Sequence, residues 1–259
     1  MSPTEASPEG PDLPHVVEVL VYELEHGSVR RPHAVADHAV THLGIDVFEH
    51  CDVILRHPNP QTARALWANA RAAIEAGIEM LFITADEGEY DLRGASARAF
   101  ELLENHQLQR RMRRADEAAG VAEPSIPGDP EYPALTDAGA WDGISPGKGK
   151  VMRQAFEAVQ AGNARGEKHW SGRSFTAMVR EAAEAHNLGA GALEIVDAFY
   201  GAASIHSHPR VRSNHRATVR NDDGGFDIVP GHDDSEAMRD LARTAAMFAI
   251  QGLRKRAAY

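Results

Sequence analysis

Residues 34–56 read AVADHAVTHLGIDVFEHCDVILR, with apolar side chains at 36, 40, 43, 47, 51 and 54. Steps of three and four put these positions on one stripe of a 3.6-residue helix, whereas a half-buried strand would alternate strictly. HPNP at 57–60 then stops the helix. On its N-terminal side, VVEVLVYEL within Leu13–His26 fits a helix or a strand taken alone, and the helical neighbour favours a helix. On its other side a helix is expected over 61–84, with Ala63, Leu66, Ala70, Ile74, Gly77, Ile78 and Leu81 inward. A charged helix over 90–119 is expected to make its contacts through Phe100, Leu103, Leu108 and Met112. Further helices are expected at 148–162, 174–187 (with Ser174 as cap) and 190–206. The last spans 233–256, capped by Asp233, Asp234 or Ser235, and buries Met238, Leu241, Ala245, Phe248 and Leu253. Asp-Gly and Gly-Gly pairs can turn a small β-hairpin near 218–229. The reading is an all-α, multi-helix bundle of seven or eight helices.

Residues 1–13 are acidic and rich in Pro, Ser and Gly, and are expected to form a disordered leader. Residues 14–259 are taken as a single helical domain, broken by a long Pro- and Gly-rich loop at 120–147. The leader lacks the basic and apolar segments of a signal peptide, and nothing downstream approaches a membrane span. A single cysteine, Cys51, excludes an intrachain disulfide and a zinc site built on several cysteines. The expectation is a cytoplasmic protein without a membrane partner. Apolar residues make up 43% and charged residues 25%, as in ordinary globular chains. A formal net charge of -11 makes sequence-independent nucleic-acid binding poor, because phosphate contacts need clustered cations. Two local basic clusters stand against this: Arg110, Arg111, Arg113 and Arg114, and the more dispersed Arg210, Arg212, Arg216 and Arg220. A phosphate-binding glycine loop, a dinucleotide fingerprint and a nucleophile elbow are all missing, so no cofactor is implied. A homodimer is open, with nothing to specify its interface.

His38, His42, Asp46 and His50 lie four apart on the first long helix, a spacing that can bring metal ligands together. At about 100° per residue, however, the apolar stripe centres opposite His38. His38 and His42 then face away from the core, and His50 reaches only its edge. Glu75 and Glu79 on the next helix also lie off their apolar stripe. A solvated polar face is therefore the simpler account, and no metal is assigned.

Arg71 and Glu75 form an i, i+4 pair at the margin of the second long helix, which in the bland account is an intrahelical ion pair. Further on come WSGRSF (Trp170 to Phe175), then Tyr200, Ser204, His208 and Pro209 in a Y-x-x-x-S-x-x-x-H-P pattern. In this order the motifs resemble the bacterial domain-of-unknown-function family numbered 5677, over roughly residues 60–215. The resemblance implies a helical fold and the place of a site, and no established reaction.

On a helix over 190–208, Val196, Phe199 and Ala203 face inward. Asp197, Ser204 and His208 group within about 40° of one another, beside Tyr200. Ser204 and His208 can approach at i, i+4. Asp197 is about 16 Å from His208 along the axis and cannot complete a triad. A Ser-His couple needs an orienting acid from elsewhere. Glu75 is the candidate, with Arg71 as an anion clamp, and that contact rests on the family resemblance. The structural alternative is that His208 caps a helix which Pro209 ends.

Arg210 and His215 form an R-x-x-x-x-H pattern that resembles the signature of HEPN-type helical nucleases, which cut RNA without metal. Val211 stands where that family has a polar residue, and Pro209 suggests a loop. Three functions are carried forward. One is a binding or regulatory module that holds a small anionic ligand on Arg71 and His208, with Tyr200, Arg210 and His215 as further ligand contacts. The second is a metal-independent ribonuclease of toxin or antiphage type. The third is a metal-dependent helical-bundle enzyme using His38, His42, Glu75 and Glu79.

Overall fold

A computed structural model of the chain describes residues 11–27, 35–56, 63–123, 125, 149–165, 169–189, 218–220, 226–228 and 235–258, and isolated residues between 193 and 198. The described elements are α1 (Leu13–His26), α2 (Val35–Arg56), α3 (Ala63–Ile83), α4 (Tyr90–Ala118), α5 (Gly149–Ala164), α6 (Phe175–Ala185), β1 (Thr218–Arg220), β2 (Phe226–Ile228) and α7 (Ser235–Arg256). The fold is all-α. The hairpin pairs antiparallel, with Thr218 opposite Ile228 and Arg220 opposite Phe226. No described helix is long and apolar enough to cross a membrane.

By packing, the chain divides into two compact units. Periodicity shows which face of a helix is apolar but not which helix covers it, so the division is invisible in the sequence. The first unit comprises Met1–Arg30, Thr41–Ala85 and Thr176–Tyr259. The second comprises Arg31–Val40 and Asp86–Phe175.

In the first unit α7 packs against α3 and α1. Asp12 caps α1 by accepting the N–H of His15 at 3.1 Å, and Pro14 stands in the first turn, where its missing N–H costs nothing. The expected inward residues of α7, from Met238 to Leu253, are all buried, as are Leu66, Ala70, Ile74, Ile78 and Leu81 of α3. Close packing of α3 uses glycines: a Cβ on Gly77 would lie 3.0 Å from the carbonyl oxygen of Ala245. Cys51 is buried, and its thiol donates to the carbonyl of Ala242 at 3.5 Å. Burial pushes that thiol up to about 12, so it is chemically inert.

In the second unit α4 packs on α5, around Val35, Ala95, Met152 and Ala155. Leu103 is buried as expected, but Leu108 and Met112 are not: they are 52% and 42% exposed. At about 100° per residue they stand 140° and 180° from Leu103, on the opposite face of the helix. The α4 face that is buried carries Tyr90, Gly94, Ala95, Ala99, Leu103 and His106. Tyr90 donates its buried hydroxyl to Asp37 at 2.7 Å, tying the start of α2 to the start of α4.

Candidate functional site

Arg71 and Glu75 are the two expected site residues that the structure describes. One turn of α3 brings the Arg71 Nε–H within 3.0 Å of Glu75 Oε1. Both are partly shielded, with side chains 23% and 34% exposed. They sit beside the buried side chains of Trp67, Ile74 and Ile78 on the same helix. Tyr200, Ser204, His208, Arg210 and His215 lie outside the described residues, as does most of the expected 190–206 helix. Val196, expected inward there, is buried. The 120–147 loop is described only at its start, where 121–123 are exposed.

His50 of the histidine line makes a defined contact between helices. His50 Nδ1 lies 2.8 Å from Asn69 Oδ1, joining α2 to α3. Asn69 and Glu75 are six residues apart, about 120° around α3, so the His50 contact and the Arg71–Glu75 pair occupy different sides. Among the described residues, His38, His42, Glu75 and Glu79 included, no group of three or more His, Cys, Asp or Glu side chains converges as a metal would need.

The WSGRSF stretch forms a tight turn in the second unit. Gly172 takes φ +64°, and its N–H donates to the carbonyl of His169 at 3.1 Å. The backbone N–H of Ser171 donates to His169 Nδ1 at 3.2 Å. That nitrogen is therefore an acceptor, which assigns the tautomer with hydrogen on Nε2. The Ser171 hydroxyl then donates to it at 2.7 Å, and Ser171 Oγ accepts the Arg173 N–H at 3.1 Å. Each of these bonds is local, so they account for the turn without a substrate.

The sequence offered no signal for a buried polar cluster at the end of α3. Carbonyls in the last turn of a helix lack intrahelical partners. The Thr84 hydroxyl donates to Met80 O at 2.8 Å, and the His186 imidazole reaches Leu81 O at 2.9 Å. A carbonyl only accepts, so His186 carries its hydrogen on Nε2. Its backbone carbonyl accepts from Gln251 at 3.2 Å. Burial lowers the pKa of His186; the bond to Leu81 opposes this and the charge of Lys255 reinforces it. Because the unfolded chain then binds the proton more readily, the stability from this group is complete above the unfolded histidine value of about 6.5 and is lost as pH falls below it. Wild type should therefore lose stability between roughly pH 6.5 and the depressed folded value, with a slope up to about 1.4 kcal/mol per pH unit from this residue. Urea titrations over this range will show a flatter profile for His186→Gln. Equal profiles would remove His186 as the source.

Two surface clefts accompany these features. One, of about 480 Å³, lies along the α1–α7 seam and is lined by His15, Val16, Val19, Met247, Ile250 and Arg254, among others. Arg254 there donates to Glu23 at 2.7 Å. The other, of about 490 Å³, is lined by Glu87, Gly88, Tyr90 and Asp91. Compared with known proteins, the chain matches no family model, and no curated protein or solved structure is significantly similar to it.

Proposed function

We infer that this chain is a ligand-binding or regulatory module that takes a small anion at Arg71. What supports this is the partly shielded guanidinium that Glu75 orients. A guanidinium carries five N–H donors in a planar fork, and the Glu75 contact engages Nε. That bond orients the fork, which suits a carboxylate or phosphate. The apolar side chains of Trp67, Ile74 and Ile78 beside it limit solvent screening. Glu75 also limits the affinity, since its charge competes with an incoming anion, so binding in the micromolar to millimolar range is expected.

Thermal unfolding in rising inorganic phosphate tests this reading. At about 100-fold excess over Kd, binding adds about 2.7 kcal/mol, which for a chain of this size raises Tm by roughly 5–10 °C. Arg71→Ala should abolish the shift, and Arg71→Lys should retain only part of it. A shift of equal size in Arg71→Ala would remove Arg71 from the site. RNA incubated with the purified chain should stay intact; cleavage lost in His215→Ala would favour the ribonuclease instead.

A further inference from the structure

The cleft of about 480 Å³ along the α1–α7 seam plays no part in the Arg71 reading, and its volume falls in the range of ligand pockets. Its base is apolar, made of the buried Val16 of α1 and Ile250 of α7. Val19 extends that base, and Met247 lines the cleft as a large apolar side chain left 50% exposed. One end is polar. Arg254 lies seven residues after Met247, within about 20° of it around α7 and about 10 Å further along the axis, so both belong to one surface. Glu23 accepts the Arg254 Nε–H at 2.7 Å, and among the described residues this is the one contact of the guanidinium. The Glu23 side chain is 15% exposed against 62% for Arg254, so the carboxylate holds the guanidinium from the protein side and leaves its Nη hydrogens to the cleft. Gln251 donates its amide to the His186 carbonyl at 3.2 Å, which leaves its Oε1 as an acceptor in the same cleft. Among the described residues that line the cleft none is a carboxylate, and His15 there is either neutral or cationic.

We propose that this cleft binds an amphipathic monocarboxylate, with its head on Arg254 and its apolar body along Met247, Val19 and Ile250. Charge and length both favour that class. A guanidinium takes a carboxylate through two parallel N–H bonds, and a cationic amphiphile would set its head against the same charge. Glu23 offsets part of the Arg254 charge, so a bare inorganic anion gains little there. The apolar base supplies the rest, since each methylene buried raises affinity by up to about fourfold. The distance of about 10 Å from Met247 to Arg254 matches an extended chain of about eight to ten carbons. This site is separate from Arg71 and stands without it.

The test is isothermal titration calorimetry of the full chain with octanoate, beside acetate and octanol. Octanoate should bind saturably at one site, about tenfold or more tighter than acetate, which lacks the apolar body, or octanol, which lacks the charge. Arg254→Gln and Met247→Glu should each weaken octanoate binding about tenfold or more. Their circular dichroism and urea midpoints should match wild type, since both side chains are exposed. Arg71→Ala should bind octanoate as wild type does, and excess inorganic phosphate at constant ionic strength should leave the affinity unchanged. Absence of saturable octanoate binding overturns the proposal. So does octanol binding as tightly as octanoate, or undiminished binding by Arg254→Gln, either of which would point to apolar contact alone. Loss of octanoate binding in Arg71→Ala would move the carboxylate to Arg71 and overturn the cleft as its site.

Discussion

Gly94→Ala will destabilise the protein by about 3 kcal/mol, at the upper end of overpacking costs. An added Cβ would lie 2.6 Å from the Cβ of Ala36 and 3.0 Å from its backbone nitrogen. Those atoms belong to the first turn of α2, and a helix backbone cannot yield as a flexible side chain does. The Tyr90–Asp37 hydrogen bond, one turn before Gly94, holds the same crossing closed. Gly189→Ala is the matched control. A Cβ there meets nothing within 4 Å, so the change should be neutral or slightly stabilising. Urea unfolding of the two variants beside wild type checks the difference. Similar midpoints for Gly94→Ala and wild type would mean the helices cross farther apart than described.

Met80→Ala carries a comparable cost, again about 3 kcal/mol, by the opposite mechanism. Met80 is fully buried on α3. A Cβ on Gly44 of α2 would lie 3.4 Å from its Cε, and one on Gly252 of α7 would lie 3.2 Å from its Cβ. Two glycines thus let two helix backbones close on one methionine. Truncation leaves a cavity that these backbones cannot collapse into without breaking their other contacts. Met80→Leu, which nearly conserves volume, should cost less than about 1.5 kcal/mol. Urea midpoints of both variants separate the cavity from a general intolerance of change. An equal loss in Met80→Leu would contradict the cavity account.

The long stripes of α2, α3 and α7 were legible because each buries one face over five or six turns, and Ala36, Val40, Val47, Cys51 and Ile54 are buried as their spacing predicts. On α4 the same method went astray. Half of its six buried positions are small, namely Gly94, Ala95 and Ala99, while Leu108 and Met112 are large and exposed. Weighting by hydrophobic size therefore placed Leu108 and Met112 inward wrongly, while Leu103 is buried as expected. Helical spacing was enough to pair Arg71 with Glu75. It could not reveal that His186 would seal the end of α3, because Leu81 and His186 are 105 residues apart and the contact is made by tertiary packing. Nor could it show that His169 and Ser171 would bond each other in a turn, though the glycine at 172 was a visible cue for one.

The most direct measurement on the central claim is the ¹H–¹⁵N resonance of the Arg71 Nε–H, assigned by its loss in Arg71→Lys and followed while inorganic phosphate is added. Binding at Arg71 predicts a saturable shift of this signal, with the same Kd that fits the rise in Tm. A Tm that rises while the Arg71 signal stays still, or a signal that drifts without saturating, would contradict it.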